Sequence, residues 1–199
     1  MTENALSPKY SRKFWARWRV RLGYPVALIY WLLAAPTPTS IFIGGLIAAF
    51  GLIIRALASG YLRKDEQLAT TGPYAVTRNP LYLGSAFLAA GFVVAGNSWI
   101  AGVLVAVYFA VFYYAVMRSE ERDVRERFGA AFDEYAARVP FFFPRFKRTP
   151  NAPQTGEDPP ANFSWAQYRR NREYQALIGT IAGLASLWLR LFIRGLFRF

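Results

Sequence analysis

Three groups of polar residues stand beside long uncharged stretches, and their types suit the binding of a zwitterion. The first is Gly72-Pro73-Tyr74. Gly72 can supply a positive backbone φ or let a ligand approach the main chain closely, although the same residues would also make an ordinary turn. The second is Arg78-Asn79-Pro80-Leu81-Tyr82. Pro80 suits the first turn of a helix and Asn79 its cap. That arrangement presents the positive end of a helix dipole to a carboxylate, and Arg78 adds a bidentate partner for the same anion. A capped helix with an arginine reaching the lipid headgroups is the plainer reading. The third is Glu120-Glu121, flanked by Arg118 and Arg122. A cationic or amine-bearing ligand would compensate these carboxylates, and so would a solvated helix face with its own arginines. Between the groups, Tyr74, Tyr82, Tyr113 and Tyr114 offer ring faces to a cation such as a sulfonium. Polar clusters at a membrane edge cost free energy, so a functional site is the default expectation.

Composition narrows the chemistry. The 199 residues include no cysteine and no histidine, which excludes thiolate and imidazole nucleophiles, a Cys/His zinc site, disulfides and a histidine base. Carboxylates, Tyr, Arg, Lys, backbone groups or a borrowed cofactor must do the work, and no metal site is expected. The formal charge of +12 suits a polyanion, but 54% hydrophobic content argues against a soluble nucleic-acid binder. Anionic lipid is the better partner, since each juxtamembrane Lys or Arg gains about 1 kcal/mol there. Residues 1–21 are polar and basic and contain no apolar segment of a cleavable signal peptide.

The elements that must position the three groups follow from two uncharged stretches, Leu22–Ile54 and Asn79–Met117. Each is too long for one helix and has a break near its middle, at Pro36-Thr37-Pro38-Thr39-Ser40 and at Gly96-Asn97-Ser98. The expected fold is therefore all-α and polytopic: two transmembrane helical hairpins, a C-terminal membrane-embedded helix and cytosolic amphipathic helices. Gly44, Gly45, Ala48, Ala49 and Gly51, with Gly84, Ser85, Ala86, Ala89, Ala90 and Gly91, would let spans approach closely. Arg55 is expected to snorkel from its span end. The basic residues put the N-terminus, the 59–80 loop and everything after Met117 on the cytosolic side. Val124, Phe128, Phe132 and Tyr135 recur at helical spacing, which predicts an amphipathic helix or helix pair that Pro140 ends. Phe141-Phe142-Phe143-Pro144 is expected to dip into the interface. The expected organisation is a basic segment 1–21, a membrane core 22–148, a linker 149–173 and a membrane-associated helix 174–199. Arg190, Arg194 and Arg198 follow the apolar run Ala176–Leu189 on one helical face. A spanning helix would carry them to the far side, whereas a shallow one would keep them on the cytosolic surface.

Gly72-Pro73-Tyr74, then Arg78-x-Pro80-x-Tyr82-x-Gly84, a hairpin, Glu120-Glu121 and Phe128-Gly129-x-x-Phe132-x-x-Tyr135-x-x-Arg138-Val139-Pro140 form an ordered set. It resembles the isoprenylcysteine carboxyl methyltransferase and phospholipid methyltransferase superfamily over roughly residues 40–145. The resemblance implies an integral-membrane enzyme that uses S-adenosylmethionine to methylate a lipophilic small molecule or lipid. It implies that Gly72, Pro73, Tyr74, Arg78, Asn79, Pro80 and Tyr82 enclose the cofactor and that Glu120 and Glu121 contact it. Glu134, Tyr135 and Arg138 match the block implied on the acceptor side, with Arg138 orienting the acceptor. The usual Arg-His-Pro reads Arg-Asn-Pro here, and a second usual histidine is Glu66. Asn79 can donate a hydrogen bond but cannot serve as a cation or a base. Two other readings stay open: a dinucleotide-dependent membrane sterol or enone reductase, and a non-enzymatic scaffold for anionic lipid.

Overall fold

The computed structural model describes residues 8–63, 66–145 and 162–196. Its elements are α1 (Pro8–Leu33), α2 (Pro38–Tyr61), a 3-10 turn (Gly72–Ala75), α3 (Pro80–Gly96) and α4 (Trp99–Tyr108). A π turn (Phe109–Tyr113), α5 (Tyr114–Phe128), α6 (Ala130–Arg138), α7 (Trp165–Arg170) and α8 (Tyr174–Leu196) follow. No strand occurs among the described residues. Of the expected linker 149–173, residues 149–161 lie outside the described residues, and the remainder contains α7.

Both expected breaks are present, each with its own chemistry. Thr37 caps α2 in a reciprocal pair with Ser40, satisfying backbone donors that a helix start leaves open. Asn97 ends α3 in a left-handed conformation at φ 46°, one of the few non-glycine residues suited to it. The Ser98 hydroxyl then accepts from the Ala101 N–H at the start of α4.

Three helices are long and apolar enough to cross a membrane: Pro38–Tyr61, Tyr174–Leu196 and the continuous rod Trp99–Phe128. The apolar α3 is shorter, at 17 residues. Phe42, Leu46, Phe50 and Ile53 on α2, and Ile178, Ile181 and Phe192 on α8, turn outward. An apolar belt of this extent is a lipid-facing surface, and the protein is an integral membrane protein.

In lipid, helices associate by close fit rather than by escape from water. The closest fit is between α2 and α3. A Cβ on Gly91 would lie 2.6 Å from the Gly44 carbonyl oxygen, and one on Gly51 would lie 2.6 Å from that of Gly84. Ala48 is fully buried between these contacts. Helix α1 packs on α4 and α5 rather than on its sequence neighbour α2. It is held by the Tyr30 hydroxyl on the Phe92 carbonyl and by the Tyr108 hydroxyl on the Arg19 carbonyl, each at 2.5 Å.

Helix α8 decides between the two open readings and corrects two expectations. It runs the length of the bundle, so its two ends lie at opposite ends, and not everything after Met117 stays on one side. At the end where α1 turns into α2, Arg190 donates to the carbonyls of Ala34 and Leu32, and Arg194 donates to Ala34. These carbonyls lie at and just beyond the end of α1, where helix carbonyls lack intrahelical partners and attract cations. At the opposite end Glu173 pairs with Arg55 at 2.5 Å. Arg55 therefore does not snorkel: its guanidinium turns inward to Glu173, Ser85 and the Leu81 carbonyl. The glutamate came from outside the sequence window in which the arginine was read. Asn171 fastens the same end through its amide on the Ser59 and Leu62 carbonyls.

Two outcomes follow. Gly91→Leu should overpack the α2–α3 contact and lower stability by about 2–3 kcal/mol or more, visible as a lower melting temperature in detergent. Glu173→Ala leaves Arg55 without its carboxylate and should cost on the order of 2 kcal/mol, with Glu173→Gln milder because it keeps a hydrogen bond.

Candidate functional site

The second polar group is positioned by a segment that sequence reading assigned to the membrane interface. The chain after α6 returns alongside residues 76–79. The Arg78 N–H donates to the Pro140 carbonyl at 2.9 Å, and the Arg145 N–H donates to that of Val76 at 3.0 Å. The Thr77 hydroxyl donates to the Phe142 carbonyl, and the Asn79 amide donates to that of Phe141 at 2.8 Å. Asn79 thus occupies the cap position of α3 without capping it. Its side chain is spent on holding two loops together. Pro80, fully buried, opens the helix as expected.

This stitching sets Arg78 against the third group. Its Nη1 lies 2.6 Å from Glu121 Oε1, both side chains being mostly buried, and Arg118 approaches the other oxygen at 3.3 Å. The Arg78 Nε is buried and has no hydrogen-bond partner among the described residues. The first group is fixed from below. Gly72 takes φ +59°, and the ring of Tyr61 lies 2.7 Å from where a Cβ would be. A side chain is thus excluded by conformation and by space. Tyr74 is buried, and its carbonyl accepts from the Tyr135 hydroxyl at 2.7 Å.

All three groups border one cavity of about 740 Å³, within the usual range for small-molecule sites. Tyr74, Arg78, Asn79, Tyr82, Glu120, Glu121 and Tyr135 line it. The Tyr82 hydroxyl meets the side chains of Glu120 and Arg19. The Tyr82 ring stands edge-on to Tyr113 at 5.8 Å. Tyr113 and Tyr108 share the cavity wall because the π turn brings residues five apart onto one face, a common feature of functional sites. Beyond the turn, Glu120, Asp123 and Arg127 continue the same face at spacings of three and seven. Gln67, from the 62–79 loop, adds a buried side-chain oxygen without a hydrogen bond among the described residues.

Burial raises the ionisation of the Tyr74 and Tyr135 hydroxyls well above the usual phenol range, and nearby Glu120 and Glu121 respectively add to the effect. Both stay neutral in physiological conditions and serve as hydrogen-bond donors rather than as bases.

Other predicted residues are placed elsewhere. Gly72 and Pro73 support the wall without lining it. Tyr114 faces away, towards an apolar groove it shares with Phe141 and Phe143. Glu134 and Arg138 pair with each other on the partly exposed side of α6 and do not line the cavity. Helical geometry explains this: they flank Tyr135, whose side the bundle buries with Phe132 and Val139. Conversely, Arg19, Arg55, Gln67, Ser85, Tyr108, Asp123 and Arg127 line the cavity without having been singled out as its residues. Asp123 and Arg127 were accessible from the heptad-like spacing after Glu120, and Arg19 from its face-sharing with Gly23 and Ala27. Nothing in the sequence announced the π turn or Gln67.

The lining offers arginine side chains suited to a carboxylate, and carboxylates and tyrosine rings suited to positive charge. Residues 40–131 match the phospholipid methyltransferase family. The chain is 31% identical over 164 residues to the cobalt-zinc-cadmium resistance protein CzcN of Cupriavidus metallidurans, covering 73% of this chain and 76% of that one. It is 41% identical over 83 residues to the nickel-cobalt-cadmium resistance protein NccN of Alcaligenes xylosoxydans, covering 42% of this chain and 38% of the relative. No solved structure matches. With the matched segment carrying the Gly72–Tyr82 loop and the Glu120-Glu121 pair, the chain belongs to the isoprenylcysteine carboxyl methyltransferase and phospholipid methyltransferase superfamily.

Proposed function

We infer that this protein transfers a methyl group from S-adenosylmethionine to a lipophilic acceptor at the cavity end of the bundle, the end expected to face the cytosol. The observation that carries the reading is the meeting of Arg78, Glu120 and Glu121 in one tyrosine-walled cavity. Bound there, S-adenosylmethionine supplies an electrophilic methyl on a cationic sulfur. Arg78 would hold its carboxylate, and Glu120 with the Tyr82 and Tyr113 rings would face its positive charge.

The chain's own task is positioning and exclusion of water, since displacement at a sulfonium methyl has a good leaving group. A carboxylate acceptor needs no base. An amine acceptor must lose a proton, and Glu120 is suited to take it: it lines the cavity and forms no ion pair within 4 Å among the described residues. The expectation that Arg138 and Glu134 serve the acceptor finds less support than Glu120, because they lie outside the lining.

The relatives are named for resistance to nickel, cobalt, zinc and cadmium. Sites for such ions favour thiolate and imidazole ligands, and this sequence has neither. A part in metal resistance would therefore run through methylation of a membrane component rather than through holding the ion.

Thermal-shift titration of the detergent-purified protein tests the reading. S-adenosylmethionine and its demethylated product should both raise the melting temperature. Arg78→Ala should weaken that binding about 10- to 100-fold, the scale of one charge-assisted hydrogen bond. Glu120→Gln should do likewise without disturbing the Arg78–Glu121 pair. Absence of stabilisation of the parent by either compound would overturn the proposal. A response to NADPH alone would point to a reductase, and a response to anionic lipid alone to a scaffold.

A further inference from the structure

Helix α1 precedes the family-matched segment, yet it forms one wall of the cavity. Arg19, Val20, Gly23, Tyr24 and Ala27 line it, at the i, i+4, i+8 spacing of a single helical face. Arg17, Arg19 and Arg21 all lie on this helix, but only Arg19 turns inward. Arg17 and Arg21 are exposed, and Arg21 lies over the Trp18 ring. The position of Arg19 is fixed by its own main chain, because the Tyr108 hydroxyl donates to the Arg19 carbonyl at 2.5 Å. Gly23, one turn on, leaves room for that hydroxyl, which would lie 3.2 Å from a Cβ there.

The Arg19 guanidinium stands 5.6 Å from the Tyr113 ring centroid and meets the Tyr82 hydroxyl. The same hydroxyl also meets Glu120, so this carboxylate is linked to Arg19 through Tyr82. Of the other arginines lining the cavity, Arg55 pairs with Glu173, and Arg78 pairs with Glu121 through one nitrogen. A guanidinium that meets a hydroxyl and a ring face inside a partly desolvated cavity keeps donors suited to an anion entering that cavity.

We propose that Arg19 is the acceptor-selecting residue of this protein, binding an oxyanion, phosphate or carboxylate, on the headgroup of an amphiphilic acceptor. Tyr24 and Ala27, the exposed residues further along the same face, continue from Arg19 towards the apolar part of α1, where a hydrocarbon chain would lie. The inference rests on the methyltransferase reading. Its test requires no cofactor, so the two fail separately.

The full chain in phosphatidylcholine nanodiscs is titrated with three amphiphiles sharing one acyl chain: oleate, 1-oleoylglycerol 3-phosphate and uncharged 1-oleoylglycerol. At least one anion should bind about tenfold or more tightly than the uncharged compound. Preference for oleate identifies a carboxylate, and preference for the phosphate compound identifies a phosphate. Arg19→Gln should abolish the preference, Arg19→Lys should retain part of it, and Arg17→Gln and Arg21→Gln should keep it whole. Equal binding of the three amphiphiles by the parent would overturn the proposal, as would an anion preference that survives Arg19→Gln or falls equally in Arg17→Gln.

Discussion

The ion pair between Arg78 and Glu121 joins two parts of the chain that covalent geometry leaves more than forty residues apart. Each partner is mostly buried, so neither can relax into water if the other is lost. Its formation requires the loop at 76–79 to be in register with the segment after α6, and four hydrogen bonds along that pairing set the register. It also requires α5 to end its apolar run at the depth of that loop. Arg78, Glu120 and Glu121 thereby reach the wall of one cavity, with Glu120 beside Tyr82.

The membrane half of the molecule meets a different demand. Helices α2 and α3 touch backbone to backbone along Gly44, Gly51, Gly84 and Gly91, a contact that leaves no space for a ligand. One turn beyond Gly51 the small residues give way to Arg55, whose guanidinium bonds Ser85. The cavity begins there. Tight contact and open site are thus successive stretches of the same helix pair, and α8 supplies the carboxylate that makes a charged residue tolerable at the transition.

Much of this was legible in the sequence because it rests on local rules. Uncharged runs with Pro or Gly-Asn-Ser breaks mark helix hairpins, and the breaks fall at Leu33–Pro38 and Gly96–Trp99. Small residues mark close approach. The Gly72–Tyr82 and Glu120-Glu121 groups converge because an ordered resemblance carries long-range information that spacing alone lacks. What remained hidden depends on tertiary pairing. Asn79 reads as a cap until Phe141 arrives, Arg55 reads as a snorkelling residue until Glu173 arrives, and Arg138 reads as a site residue until the buried face of α6 is known. In each case the deciding partner is distant in sequence or set by packing.

The π turn at Phe109–Tyr113 acts as a phase shifter between the two halves of the Trp99–Phe128 rod. One residue corresponds to about 100° of helical rotation. On one side of the rod Val103, Val107, Val111 and Tyr114 turn outward. Beyond the turn Glu120, Asp123 and Arg127 line the cavity. The helix thereby separates the demands of bilayer residence from those of ligand binding, and each half can change its sequence without re-aiming the other.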